Sequence, residues 1–173
     1  APSVNSFSRF TLSSYCLETC IATEAIAKPA TVYLNAEGLG SLQPEDIDDG
    51  SKGACGIDSM QVIPESFSCI DMGTQEVLLI VTDLNGCTKS AVSAIEVIDT
   101  IPPMVFCKNI TVTVGESCYA SITVDDIDDG SSDACGINKG IDISSFSCDD
   151  LGSNTVMLTV TDPSGNSATC EAI

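Results

Sequence analysis

The stretch IDDGSKGACGI at residues 47–57 returns as IDDGSSDACGI at residues 127–137. Outward from this pair, residues 31–50 align without a gap with residues 111–130 at an offset of 80. FSCIDMGTQEVLLIVTDLNG at 67–86 then aligns with FSCDDLGSNTVMLTVTDPSG at 146–165 at an offset of 79. A period shared over this length indicates a tandem duplication.

The duplication divides the chain into three parts. Residues 25–100 form repeat 1 and residues 101–173 form repeat 2, and the prolines of Asp99–Pro103 predict a short, stiff linker between them. Residues 1–24 align with neither repeat. The apolar residues of this N-terminal extension predict a short augmenting strand; the alternative is that the extension covers domain 1 of its own chain. They are Phe7, Phe10, Leu12, Tyr15 and Leu17.

Short segments of both repeats alternate apolar residues with Thr or Ser, which is the pattern of half-buried β-strands. Clusters of Gly, Asp, Asn and Ser separate these segments, and no segment carries a sustained 3.6-residue apolar period. The sequence therefore predicts an all-β fold of two tandem immunoglobulin-like β-sandwich domains joined by the Pro-Pro linker. Strands are expected at Thr31–Leu34, Val77–Thr82, Ile110–Val114, Ala120–Val124 and Thr155–Thr161.

Charge and composition exclude several classes of function. Six basic residues against 25 acidic ones give a net charge of -19, which repels nucleic acid and anionic membrane surfaces. The longest apolar runs, such as Val77–Val81, are far shorter than the roughly 20 residues of a membrane helix, so no membrane insertion is expected. With no histidine, no activated Ser or Cys arrangement and no phosphate-binding Gly loop, we expect no enzyme.

The ten cysteines predict disulfides in an oxidising compartment, because the chain has no CxxC pair and no histidine for a metal-thiolate site. The sequence begins at Ala1 with no signal-peptide pattern. We therefore expect a protein of the extracellular space or cell surface, secreted and freed of its signal peptide.

Five motifs of repeat 2 carry a resemblance to a known family: VIDTIPP at 97–103, VFCKNITV at 105–112, DIDDGSSDACGI at 126–137, FSCDDLG at 146–152 and TDPSGNSATC at 161–170. Over about residues 25–173 the chain resembles hyalin-repeat (HYR) modules, an immunoglobulin-like family, and the related repeats of large surface adhesins of gliding bacteria. Repeat 1 departs from the pattern, because Ala27 and Ala91 stand where repeat 2 has Cys107 and Cys170. Its sheet-closing disulfide must be lost or relocated.

Cysteine positions suggest pairings. Both repeats keep two cysteines, so we predict Cys55–Cys69 and Cys135–Cys148, and immunoglobulin-like topology predicts Cys107–Cys170. Cys87 follows a turn at the end where the N-terminal extension enters, which favours Cys20 or Cys16 as its partner. For Cys118, the resemblance to hyalin repeats implies a disulfide to Cys135, which would leave Cys148 without a partner. The alternative is an intermolecular bond to Cys16 that links subunits covalently. All ten positions are Cys16, Cys20, Cys55, Cys69, Cys87, Cys107, Cys118, Cys135, Cys148 and Cys170.

Clustered acids predict a calcium site in each repeat. In an immunoglobulin-like sandwich the two acidic loops and the incoming linker meet at one end, where they could supply the six to eight oxygens that calcium takes. Asp126 and Asp128 would share a face of an extended strand while Ile127 turns inward. The alternative is that the acids are solvated turn residues that form Asx hydrogen bonds. The predicted ligands are Asp99, Asp126, Asp128, Asp129, Asp133, Asp162 and Asn166 in repeat 2, with Asp46, Asp48, Asp49 and Asp83 in repeat 1.

Together these features predict a secreted structural or adhesive repeat protein, a rigid extracellular rod stabilised by disulfides and calcium. Its expected partners are other copies of itself in a head-to-tail filament, in which the N-terminus of one molecule augments the shortened last strand of the next, or a protein or glycan on a cell surface. The alternative is an extracellular binding module that recognises a glycan or protein through loops at one end of the sandwich.

Overall fold

The computed structural model describes residues 22–173, and within this range most regular structure is β. Repeat 1 contains β1 (Ala30–Tyr33), β2 (Leu39–Ser41), helical turn α1 (Pro44–Ile47), β3 (Ile57–Ile63), β4 (Ser66–Ser68), a 3₁₀ turn (Cys69–Asp71), β5 (Gly73–Asp83) and β6 (Thr88–Ile98). Repeat 2 contains β7 (Tyr119–Ser121), α2 (Val124–Ile127), β8 (Asn138–Ile141), β9 (Ser145–Ser147), a 3₁₀ turn (Cys148–Asp150), β10 (Val156–Thr161) and β11 (Ser167–Ala172). The predicted augmenting strand in residues 1–24 lies almost wholly outside the described residues.

The strands of residues 22–173 form four sheets, and the all-β prediction is confirmed. A four-stranded sheet has the order β1-β6-β5-β3, and a three-stranded sheet has the order β11-β10-β8. Two small two-stranded sheets, β2-β4 and the antiparallel pair β7-β9, accompany them. None of the described helices is long and apolar enough to cross a membrane.

The elements recur at the spacing of the sequence repeat. α1 begins at residue 44 and α2 at residue 124, while β4 begins at residue 66 and β9 at residue 145. Because the same local sequence forms the same local structure twice, the duplication is visible in the folded chain.

Each repeat buries alternate residues of its central strand. In repeat 1, Val77, Leu79 and Val81 of β5 are at most 2% exposed. In repeat 2, Val156, Leu158 and Val160 of β10 join a core cluster with Ile122, Ile127 and Ala172. This period of two is what a sheet with one face on the core requires.

The chain divides into two compact units, whose bounds differ from those of the repeats. Within the described residues, unit 1 comprises residues 22–32, Gly40–Phe67 and Asp71–Val97. Unit 2 comprises Tyr33–Leu39, Ser68–Ile70 and Ile98–Ile173. Two short pieces of repeat 1 are therefore part of the unit that repeat 2 builds.

Two expected strands differ from the structure. Residues 110–114 form no strand. The expected strand Ala120–Val124 is cut short, because β7 ends at Ser121 and α2 begins at Val124. Thr123 and Asp126 form a capping box, which starts a helical turn in place of more strand.

The predicted pairings Cys55–Cys69 and Cys135–Cys148 are wrong, and so are both suggested partners of Cys118. The structure joins Cys118 to Cys148 and Cys69 to Cys135. In the β7-β9 pair, Tyr119 lies opposite Ser147, so the next residues outward, Cys118 and Cys148, come within 4.9 Å between Cα atoms.

Cys69 cannot copy this arrangement, because repeat 1 has Gly38 in the position of Cys118. A Cβ atom added at Gly38 would lie 2.5 Å from Cys69 Sγ. The segments that carry Gly38 and Cys69 therefore approach each other closely, as those that carry Cys118 and Cys148 do in repeat 2. Cys69 instead bonds Cys135 of repeat 2, and both cysteines belong to unit 2.

The predicted Cys107–Cys170 bond is present in the structure. Cys55 and Cys87 are also disulfide-bonded. The predicted partners of Cys87, which are Cys20 and Cys16, lie outside the described residues.

Candidate functional site

Asp99 and Asp133 bring two carboxylates together in unit 2. One oxygen of each lies within 4.8 Å of the other and of Cys135 Sγ. Asp99 is 7% exposed and Asp133 is half-buried. Asp99 Oδ1 accepts a hydrogen bond from Ile101 N at 3.0 Å, and Asp133 Oδ1 accepts one from Cys135 N at 2.8 Å. The sulfur is part of the Cys69–Cys135 disulfide, so it offers no thiolate to a metal.

The turn after β10 lies beside this pair. Asp162, 3% exposed, accepts hydrogen bonds from Asn166 N at 2.9 Å and Asn166 Nδ2 at 2.8 Å. Asn166 Nδ2 also donates to the backbone oxygen of Asp99 at 3.1 Å. The turn is thereby tied to the linker residue, as the predicted meeting of linker and loop requires. Asn166 achieves this as a donor, however, whereas a metal ligand would use its carbonyl oxygen.

Asp126 does not converge with Asp128, which corrects the extended-chain argument. Asp126 is in α2, where its carboxylate accepts hydrogen bonds from Thr123 N at 2.7 Å and Thr123 Oγ1 at 2.8 Å. These bonds lower the pKa of Asp126. The inward direction of Ile127, 1% exposed, is as predicted.

Asp128 is paired with Lys139 of β8. Its other oxygen accepts a hydrogen bond from Ser131 N at 3.0 Å. Burial opposes ionisation of Asp128, but the bonds from Lys139 and Ser131 outweigh it and lower its pKa to about 2. Asp129 is exposed, and its backbone N donates to Phe106 O at 2.9 Å.

The carboxylates in and just after α1 of repeat 1 accept hydrogen bonds from backbone N–H groups of the same local turn. Asp46 accepts a hydrogen bond from Gln43 N at 2.8 Å, which caps α1. Asp48 accepts hydrogen bonds from Ser51 N and Gly50 N. Burial raises the pKa of Asp48, but the bonds from Ser51 and Gly50, with the charge of Lys28, lower it overall. Asp49 is exposed.

Asp83 is the most buried of the predicted ligands, at 1% exposed. Thr23 Oγ1 donates to its Oδ2 at 2.6 Å, and the backbone N atoms of Asn85 and Cys87 both donate to its Oδ1 at 2.9 Å. The Thr23 bond is the main cause that lowers the pKa of Asp83, while burial opposes it. Both oxygens of the Asp83 carboxylate therefore accept hydrogen bonds from the described residues.

The acids therefore divide into two classes. Asp46, Asp48, Asp126 and Asp128 are caps and turn acceptors, which is the alternative role considered for them. The pair Asp99 and Asp133 has oxygens close enough for one cation, and this smaller set fits calcium only if carbonyl oxygens or water supply the remaining ligands.

Sequence reasoning missed several partners of these acids. The signal for Asp126 was present, since Thr123-x-x-Asp126 has capping-box spacing. Ser147-x-x-Asp150 has the same spacing and forms the same hydrogen bonds at the second 3₁₀ turn. Thr23 and Lys139 reach their carboxylates through tertiary contacts, for which no local pattern exists.

No protein-family model matches this chain, and no curated protein matches its sequence. The resemblance to hyalin repeats thus rests on the quoted motifs alone. Among solved structures, the chain is similar to protocadherin gamma B7 extracellular cadherin domains 1–4, with 10% identity and a TM-score of 0.32 over 86% of this chain. It is also similar to the human desmocollin-1 ectodomain, with 10% identity and a TM-score of 0.30 over 83% of this chain.

An endo-fucoidan hydrolase of glycoside hydrolase family 107 is similar with 12% identity and a TM-score of 0.29 over 81% of this chain. The chain spans 50%, 34% and 31% of these three proteins, respectively. At such identities and TM-scores the similarities assign neither a family nor an activity.

Proposed function

We propose that the chain is an extracellular structural or adhesive module, a stiff rod of two repeats. The observation that carries the proposal is the Cys69–Cys135 disulfide, which covalently ties residues of different repeats across the Pro-Pro linker. A covalent bond of this kind limits how far the repeats can separate, which a module under mechanical tension needs and a flexible tandem does not.

The cross-links suit an oxidising compartment. No free cysteine is found among the described residues, and disulfides persist outside the cell. The Cys69–Cys135 bond closes a separation of 66 residues; in the chain-entropy model a closure of that length stabilises by about 4 kcal/mol. Small β domains gain much of their stability from such bonds.

Calcium is the proposed cofactor, held by Asp99 and Asp133 with carbonyl oxygens and water. Two like-charged carboxylates within 4.8 Å repel each other, and a divalent cation would remove that repulsion. Because Asp99 belongs to the linker and Asp133 to the loop after α2, one ion would hold the linker to repeat 2.

Other copies of the chain are the proposed partners, in head-to-tail assembly. The alternative partner is a protein or glycan on a cell surface. The net charge of -19 keeps non-specific association weak, so assembly would depend on a specific contact.

Small-angle X-ray scattering and negative-stain electron microscopy test the rod. A single compact body of this length would have a radius of gyration of about 16 Å. For the oxidised wild type, the rod predicts a clearly larger radius of gyration that does not change with protein concentration as long as the protein is unassembled. At concentrations high enough for assembly, it predicts filaments. A radius near the compact value would overturn the rod, and uniform monomers at all concentrations would overturn the filament.

Calcium is tested separately by thermal unfolding with and without a chelator. Wild type should melt at higher temperature in calcium, and Asp99→Asn combined with Asp133→Asn should abolish the difference. Asp125→Asn is the matched control, since Asp125 is an exposed aspartate on α2. Equal calcium shifts in all three proteins would rule out this pair as the ligands.

A further inference from the structure

The turns that end at Gly38 and Cys118 are equivalent in the two repeats. In repeat 1, Gly38 N donates to Asn35 O at 2.8 Å. In repeat 2, Cys118 N donates to Gly115 O at 3.0 Å. Both turns end in a left-handed residue, since φ is 71° at Gly38 and 48° at Cys118.

The left-handed conformation of Cys118 is strained. Glycine adopts positive φ freely, whereas a Cβ atom makes it unfavourable. Within residues 22–173, Cys118 is the one residue other than glycine with positive φ. Repeat 2 therefore has a strained cysteine where repeat 1 has an unstrained glycine.

The turn of repeat 2 also lacks a support that the turn of repeat 1 has. Asn35 Oδ1 accepts hydrogen bonds from Glu37 N and Leu39 N, both at 3.0 Å. Gly115 stands in the position of Asn35 and has no side chain that could accept such bonds. The disulfide to Cys148 therefore holds a turn that its own side chains support less well.

Cys118 is also the one exposed cysteine of unit 2. Thiol–disulfide exchange begins when a thiolate reaches a sulfur atom, so it depends on access as well as on strain. The other cysteines of unit 2 are half-buried: Cys69, Cys107, Cys135, Cys148 and Cys170.

The other two disulfides of unit 2 are better protected. Cys107 and Cys170 pack against the core cluster of repeat 2. Cys135 Sγ has a carboxylate oxygen of Asp99 and one of Asp133 within 4.8 Å, and these carboxylates repel an attacking thiolate. The Cys118–Cys148 bond is therefore the disulfide of unit 2 that a thiol attacks most readily.

The surroundings of this bond select among thiols by charge. Glu116 lies two residues before Cys118, and Asp149 and Asp150 directly follow Cys148. All three acids are exposed. They attract the ammonium group of an aminothiol and repel a thiol that carries a carboxylate.

We propose that Cys118 is a thiol-exchange site, at which a small aminothiol forms a mixed disulfide. The thiolate of the aminothiol attacks Cys118 Sγ and forms a new S–S bond. The Cys118–Cys148 bond breaks, its electron pair leaves on Cys148 Sγ, and this sulfur takes a proton from water. One disulfide replaces another, so the step needs no oxidant or reductant beyond the thiol itself.

Exchange under native conditions tests the site. The oxidised protein is treated with cysteamine, quenched with acid and labelled with a maleimide, and the labelled peptides are identified by mass spectrometry. Cysteamine should be found on Cys118 and the maleimide on Cys148. Because exchange relieves the strain of a left-handed residue, this bond should react about tenfold faster than Cys69–Cys135 and Cys107–Cys170, or faster still.

A substitution in the turn separates strain from exposure. Gly115→Asn restores the side-chain acceptor that Asn35 provides in repeat 1, and a Cβ atom at this position meets nothing within 4 Å. The better supported turn should slow exchange at Cys118. Gly115→Ala is the matched control, since it adds the Cβ atom without the acceptor, and it should exchange faster than Gly115→Asn.

The choice of thiol tests the role of charge. At low salt and equal thiolate concentration, cysteamine should react faster than 3-mercaptopropionate, and added salt should reduce the difference. Glu116→Gln combined with Asp149→Asn should reduce it as well. Asp125→Asn, which removes an exposed acid of α2, should not.

The proposal is overturned if the three disulfides of unit 2 exchange at equal rates, or if none exchanges while the protein is folded. Equal rates with the two thiols would overturn the selectivity for aminothiols. Exchange at Cys118 leaves the Cys69–Cys135 bond intact and involves no calcium, so the exchange site and the rod can fail independently.

Discussion

Cys69 and Cys135 are joined by a disulfide with a Cα–Cα distance of 5.2 Å, although they belong to different copies of the sequence repeat. The second repeat joins Cys148, the equivalent of Cys69, to Cys118 within the same copy. Repeat 1 has Gly38 at the position of Cys118, so it offers Cys69 no cysteine there, and Cys69 bonds Cys135 of the other repeat.

Limited proteolysis checks this bond. A single cut in the linker Asp99–Pro103 should leave the two halves of oxidised wild type joined on a non-reducing gel. Cys69→Ser with Cys135→Ser should release them, because the disulfides Cys107–Cys170 and Cys118–Cys148 both lie on the C-terminal side of the linker. The control is Cys107→Ser with Cys170→Ser. It removes a disulfide whose cysteines are separated by a similar stretch of sequence, and it should leave the halves joined. Release in wild type would contradict the pairing.

Gly38→Ala should destabilise the protein more than Gly165→Ala. Both glycines have positive φ, at 71° and 89°, so each alanine incurs a similar backbone penalty of about 1–2 kcal/mol. Only at position 38 would the new Cβ also meet Cys69 Sγ at 2.5 Å and Ala134 Cβ at 3.1 Å. Denaturant unfolding measures the difference, and equal losses would show that the close approach is absent.

Thr23→Val should lower the free energy of unfolding by about 1–3 kcal/mol, because it leaves the buried Asp83 carboxylate without its hydroxyl donor. Thr31→Val is the control, since Thr31 is exposed on β1. The variant should also raise the pKa of Asp83, which carbon-detected NMR can follow. An unchanged pKa would show that Thr23 does not hold this carboxylate.

Asp128→Asn should remove part of the acid sensitivity of the fold. The folded pKa of about 2 lies below the unfolded value of about 3.9. The ionised group therefore stabilises the protein above about pH 4, and this contribution is lost as the pH falls towards 2. We expect it to be about 1–2 kcal/mol after solvent screening.

Unfolding measured between pH 2 and pH 5 checks this contribution. Lys139→Met should shift the loss to higher pH, because it removes the cation that favours ionised Asp128. Parallel stability profiles for wild type and Asp128→Asn would contradict the expected role.

The alternating sequence around Val77 and Leu158 was enough to predict an all-β fold, because a half-buried strand leaves a local period of two. The duplication also predicted where equivalent turns recur. By contrast, Ile110–Val114 has a strand pattern but forms no strand within residues 22–173, and local sequence cannot report the presence of a pairing partner.

Site prediction failed where the deciding contact is distant in sequence. The Cys118–Cys148 bond depends on the register Tyr119↔Ser147, which the repeat alignment alone does not contain. The expectation for Asp126 failed for a local reason, since a capping box competes with an extended chain. Asp99 and Asp133 were grouped correctly as neighbours, because linker and loop positions follow from the order of strands.

The Cys69–Cys135 bond also changes how the chain would carry mechanical tension. A pull between the two ends of the described region would pass from Cys69 directly to Cys135 through the sulfur atoms. The segments outside this covalent path would carry no tension; they are β5, β6 and the prolines of the linker. The fully stretched chain would therefore be shorter than the residue count allows, by about 3.4 Å for each step of the sequence separation of 66.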